Sequence, residues 1–189
     1  MRRILKIILA VITVLIIVVV ALGAVVFLDL AAYTATSSKT LQPQVEPMGT
    51  ALVLYDPGLS GTSTKVAEQI ANDLYDKTLT VTLAGIKSPA AANITGYDII
   101  VIGGPIYAGG PTASVKDALA NLQHANAARV GVFGSGQGTT SQEDVDQIRN
   151  AVPALQSGGA LANAVVVKIG ENENLAVRSQ DFVNMLIAG

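Results

Sequence analysis

The chain has 189 residues, half of them hydrophobic and 14% charged, with a net charge of −2 and no cysteine. Without cysteine there are no disulfides, no cysteine-ligated zinc, no iron–sulfur cluster and no cysteine nucleophile. Setting aside Arg2, Arg3 and Lys6 at the amino terminus leaves 9 basic against 14 acidic residues, which argues against nucleic acid as a partner, since phosphate binding needs a basic surface.

Arg2, Arg3 and Lys6 precede Ile7–Leu28, IILAVITVLIIVVVALGAVVFL, 22 residues without a charge. At about 1.5 Å per residue this run makes roughly 33 Å of helix, enough to cross a bilayer core. It exceeds the apolar core of about 7–15 residues that a cleaved secretory signal carries, and LAAYTATSS beyond it offers no clean A-x-A cleavage site. Residues 1–30 are therefore expected to be an uncleaved transmembrane helix that anchors the protein in the cell membrane. The positive-inside rule puts the amino terminus in the cytoplasm and the following domain outside it. Residues 31–49, AAYTATSSKTLQPQVEPMG, combine Ser, Thr and two prolines with little apolar periodicity and read as a flexible linker. Residues 50–189 are enough for one domain with its own core.

That domain alternates. TALVLYD is a short apolar run ending in a turn. STKVAEQIANDLYD places Val66, Ile70 and Leu74 at helical spacing, and LTVTLAGI is strand-like. In YDIIVIGGPIYAGG a buried strand, Ile99 to Ile102, runs into a Gly/Pro loop. PTASVKDALANL is a helix with Val115, Leu119 and Leu122 on one face, and ARVGVFGSGQG is another buried strand entering a Gly loop. SQEDVDQIRNAVPAL is helical, with Ser141 as N-cap and Asp144 completing a capping box. NAVVVKIGE is a fifth strand and NLAVRSQDFVNMLIAG a closing helix. Short apolar strands alternating with helices predict βαβ units, a parallel sheet covered on both faces and hence a three-layer α/β sandwich. In such sheets a ligand sits beyond the carboxyl ends of the strands.

Three strand ends carry unusual loops: DPGLSGTST, GGPIYAGGP and GSGQGTT. Parallel strands end together, so all three are expected on one edge. The first opens a helix, whose amino end carries free N–H donors and partial positive charge. Ser60, Thr62, Ser63 and Thr64 add hydroxyls. A capped turn accounts for one such loop; three converging on one edge point to a phosphate monoester.

These loops carry a resemblance. From about Thr50 to its end the chain resembles the flavodoxin family, whose phosphate loop reads T/S-x-T-G-x-T before a helix such as EKVA. Here Gly58-Leu59-Ser60-Gly61-Thr62-Ser63 precedes TKVA. Ser60, Gly61 and Ser63 match by type, whereas Gly58 stands where a hydroxyl residue is usual. GGPIYAGGP is similar to the family's flavin-edge loop, and FGSG to the loop over the other flavin face. The resemblance implies FMN as cofactor, a five-stranded sheet of order 2-1-3-4-5, and electron transfer with a redox protein partner. It assigns the phosphate to Gly58, Leu59, Ser60, Gly61, Thr62 and Ser63. One side of the ring falls to Pro105, Ile106, Tyr107, Ala108 and Gly109, and the other to Gly134, Ser135, Gly136 and Gln137. Two departures from the family pattern remain. Asp56 brings a carboxylate next to the phosphate site, unfavourable unless it points away or caps the turn. The third loop has no aromatic, so Tyr107 is the one ring available for stacking, or else a wedge that packs its loop.

Other residues point to less. His124 follows a helix and reads as solvated. Asn93 heads an N-I-T sequon. A phosphate-accepting receiver domain would need an acceptor Asp where Gly103-Gly104-Pro105 stands. Two further readings of the whole chain are a membrane-bound FMN-dependent enzyme, of quinone reductase or protoporphyrinogen oxidase type, and a binding module that kept this fold and lost its flavin.

Overall fold

The computed structural model describes residues 11–21, 35–122 and 129–188. His124 and the flanks of the apolar run lie outside them. The chain divides into two units, Met1–Thr34 and Ala35–Gly189. In the first, residues 11–21 form a helix (α1) with exposed side chains. Among the described residues no helix is long and apolar enough to cross a membrane.

In the second unit the pleat of one strand sorts the core into two layers. Along β2 (Thr50–Tyr55), Ala51, Val53 and Tyr55 face one side and Leu52 and Leu54 the other, as side chains alternate in a strand. The first set packs against Val66, Ile70 and Leu74 of α2 (Thr62–Asp76) and Phe182, Val183 and Leu186 of α5 (Leu175–Ala188). The second set meets Val115 and Leu119 of α3 (Ala113–Leu122) and Ile148 of α4 (Gln142–Asn150). Each such aliphatic or aromatic side chain contributes about 1.5–3 kcal/mol by leaving water. The remaining strands are β1 (Ser38–Leu41), β3 (Thr80–Gly85), β4 (Ile99–Tyr107), β5 (Gly110–Pro111), β6 (Arg129–Gly136) and β7 (Val165–Gly170). Strands β3, β2, β4, β6 and β7 run parallel and side by side.

The sheet is wider than the five strands expected. Among the described residues it has seven, in the order β1-β3-β2-β4-β6-β7, with β5 paired to β4. Ser38–Leu41, expected within the linker, is instead an antiparallel edge strand on β3, with Thr40 opposite Thr82. Its pattern, polar but for Leu41, fits an edge strand with little to bury and carries no apolar signal. Both central strands also run further than their apolar cores suggest. β4 continues through Gly103-Gly104-Pro105 to Tyr107, then turns through Ala108 and Gly109, both at positive φ (49° and 82°), into the β5 hairpin. β6 includes Gly134, Ser135 and Gly136, so the third loop begins at Gln137. These glycines are ladder residues that make room. Gly103 lies opposite Phe133, and a Cβ there would sit 2.2 Å from the Phe133 ring; one at Gly134 would meet Ile106 at 2.7 Å. The helix expected to reach Leu155 stops at Asn150, because Pro153 starts a separate 3-10 turn. The Ser141–Asp144 capping box is present as expected.

Candidate functional site

Because β2, β4, β6 and β7 are parallel, the segments that leave them gather on one edge. There they enclose a cleft of ≈ 350 Å³, within the range of small-ligand sites. Its lining holds Leu59, Ser60 and Thr62 from the first loop, Pro105, Ile106, Tyr107 and Ala108 from the β4 hairpin, and Ser135, Gly136 and Gln137 from the end of β6. All ten were singled out from the sequence. An eleventh residue, Glu171, was not.

The first loop is shaped by its own polar groups. Gly58 and Gly61 take the left-handed conformation, with φ of 62° and 72°, which glycine adopts without a Cβ penalty. The Gly58 N–H donates to Asp56 Oδ1 at 3.0 Å. Asp56 Oδ2 accepts from Thr112 Oγ1 at 2.8 Å and from Ser114 Oγ. The Asp56 carboxylate thus closes its own turn, ties it to the start of α3 and points away from the cleft. A Cβ at Gly58 would lie 2.8 Å from Pro105 Cγ and 3.1 Å from the Tyr107 hydroxyl. The hairpin's approach leaves no room for the hydroxyl residue usual at that position.

Tyr107 joins the first two loops. Its side chain is half exposed, and its hydroxyl accepts a hydrogen bond from the Leu59 N–H at 3.1 Å. The N-cap of α2 is Gly61, which offers no side-chain acceptor to the first turn of the helix, and that turn has no acidic residue. Ser60 Oγ donates to Thr62 Oγ1 at 3.1 Å, and Thr62 Oγ1 donates onward to Glu171 Oε1 at 2.8 Å.

Five expected residues stand back from the cleft. The Ser63 hydroxyl is buried and paired with Ser135 Oγ at 2.6 Å, bracing the first loop against β6. Gly61 caps α2, Gly58 lies under the hairpin, Gly134 lies under Ile106, and a Cβ at Gly109 would meet Gln147.

Glu171 is fixed by backbone packing. Its N–H donates to the Gly136 carbonyl at 2.9 Å, and the neighbouring Gly170 sits so close to Gly138 that a Cβ would fall 1.9 Å from the carbonyl oxygen. Around this junction the other charges are paired. Lys168 Nζ lies 2.9 Å from Asp144 Oδ1. The hydrogen bonds from Lys168 and then Ser141 hold the Asp144 carboxyl below its ordinary value. Burial pushes the Glu173 carboxyl up, but hydrogen bonds from Thr140 and the Gly170 N–H outweigh it and leave the group below its ordinary value. Glu171 follows a parallel strand directly, so the reasoning that gathered three loops on one edge extends to it as a fourth contributor.

The Flavodoxin domain family matches the chain over residues 52–171. No curated protein matches it. Among solved structures, a short-chain flavodoxin associated with a PDU bacterial microcompartment is similar at 22% identity and a TM-score of 0.55, covering 75% of this chain and 98% of its own. A flavodoxin from Streptococcus pneumoniae is 20% identical over 74% of this chain and 97% of its own, with a TM-score of 0.51. The flavodiiron core of a Synechocystis protein is 19% identical with a TM-score of 0.55, and the match spans 78% of this chain but 38% of that one. At these identities the likeness is one of fold.

Proposed function

The chain belongs to the flavodoxin family, and on that premise we propose that it binds FMN and passes electrons to a redox protein partner at a membrane. The observation that carries the reading is the cleft itself, where the hydroxyls of Ser60 and Thr62 and the amino end of α2, whose N-cap Gly61 brings no side-chain acceptor, open between Tyr107 on one wall and Ser135-Gly136-Gln137 on the other. The fit is good for a planar ring with a phosphate tail. The helix end and hydroxyls offer donors to an anion, and Gly136 leaves the wall low. Asp56, the residue whose charge counted against an anion, faces elsewhere. FMN, when bound, supplies the redox chemistry. This chain's residues would hold the phosphate through Leu59, Ser60 and Thr62 and flank the ring with Tyr107, Ile106 and Gln137.

Full-length protein titrated with FMN is expected to quench the flavin's fluorescence. Tyr107→Ala should weaken binding by roughly 2–10-fold, the worth of one stacked aromatic, while Tyr107→Phe keeps the ring and most of the affinity. No binding by the wild type would sink the FMN reading. Equal losses in both variants would make Tyr107 a wedge whose hydroxyl on Leu59 is what counts. The fold kept without flavin is the second reading, favoured by the internal partners that Leu59 and Thr62 already have.

The membrane part of the proposal rests on the uncharged run Ile7–Leu28 with basic residues before it and on the helix and exposed apolar side chains of residues 11–21. It places the amino terminus in the cytoplasm and the domain on the far side of the cell membrane. The full chain is expected to sediment with membranes and to need detergent for release. Recovery of intact protein in the soluble fraction would overturn the anchor.

A further inference from the structure

We propose that Glu171 is a specificity-determining residue, a resident anion that competes with the ligand's phosphate for the Thr62 hydroxyl and the amino end of α2. The inference rests on the FMN reading and sharpens it, because it sets how much the phosphate contributes to binding.

Three observations carry it. Glu171 Oε1 accepts from Thr62 Oγ1 at 2.8 Å, and Thr62 is the first residue of a helix whose N-cap provides no side-chain acceptor. A carboxylate there takes the favourable place of an anion at a helix amino end. Its charge has no cationic partner among the described residues: the basic groups nearest in sequence are committed elsewhere, Lys168 to Asp144 and Arg178 to Glu173. The side chain is exposed while its backbone is pinned through the Gly136 carbonyl. The carboxylate can therefore swing away without loosening the strand end. A phosphate that enters must displace it or accept a like charge at close range.

A purely structural Glu171, tying α2 to the end of β7, makes the opposite prediction: its loss should lower stability and never improve binding. Glu171→Gln keeps an acceptor for Thr62 and removes the charge. In the full chain at low salt, FMN should bind this variant about 10-fold or more tighter than wild type, from relief of one like-charge contact near the surface, while riboflavin, which lacks the phosphate, changes by less than about 2-fold. The gain should shrink as ionic strength rises, because surface charges are screened. Calorimetric titration with inorganic phosphate should show the same direction. FMN affinity that is unchanged or weaker, or FMN and riboflavin tightened alike, overturns the proposal. If neither flavin binds either protein, the FMN reading falls, and the phosphate titration still decides the role of Glu171: tighter phosphate in the variant upholds it, equal phosphate rejects it.

Discussion

Phe133→Ala is expected to cost about 3–5 kcal/mol of unfolding free energy, the range for truncating a buried aromatic. Phe133 is 1% exposed and lies opposite Gly103 in the ladder between β4 and β6, with its ring over the glycine. Gly103→Ala attacks the same contact from the other side. Its methyl would land 2.2 Å from Phe133 Cδ1 in the middle of a sheet covered by helices on both faces, where overpacking costs about 1–3 kcal/mol. In the double variant the new methyl enters space vacated by the ring. The two changes should therefore cost less together than the sum of the single effects, as expected for residues that share a cavity. Urea unfolding of the four proteins measures this coupling. Additive effects would show that the ring does not occupy the space above Gly103.

Ser60→Ala is expected to weaken FMN by roughly 10–100-fold, the value of a hydrogen bond to a charged group, and to leave riboflavin within about 2-fold. Ser60 is exposed in the cleft, and its hydroxyl is free to turn from Thr62 to a ligand. Ser63→Ala is the informative contrast. Its hydroxyl is buried against Ser135, so removing it should cost about 1–3 kcal/mol of stability by leaving a buried group unpaired, and should affect both flavins alike. Flavin titrations of the two variants separate a ligand-binding hydroxyl from a brace. If Ser60→Ala weakens FMN and riboflavin equally, the phosphate lies elsewhere.

The contrast between Ser60 and Ser63 also marks how far the sequence could be read. Apolar periodicity located the parallel strands and their helices, because burial on two faces leaves a strong pattern in β2, β4, β6 and β7. It could not reveal β1, whose polar, exposed residues need only backbone pairing. Nor could it tell that the glycines of GGP and GSG continue their strands, since glycine signals a loop unless a neighbour such as Phe133 or Ile106 is known to lean into the space. The three site segments were legible as compositions, but side-chain direction was not. Asp56 and Glu171 are both acidic residues at strand ends on one edge; Thr112 and Ser114 draw the first away, and Thr62 draws the second in. Those partners are 56, 58 and 109 residues distant in sequence, so only the folded topology decides which carboxylate a ligand meets.

The sheet's two outer strands have a consequence for crowding. Each carries a lysine: Lys39 on β1, 3.6 Å from Glu68, and Lys168 on β7, paired with Asp144. Strands at a sheet margin invite templated addition of another chain, and charged side chains are a common defence. A second copy docking a strand on β7 would have to accommodate an inward-pointing lysine, buried and already tied to Asp144. A margin charged on both sides therefore disfavours polymerisation through the backbone as the local density of the domain rises.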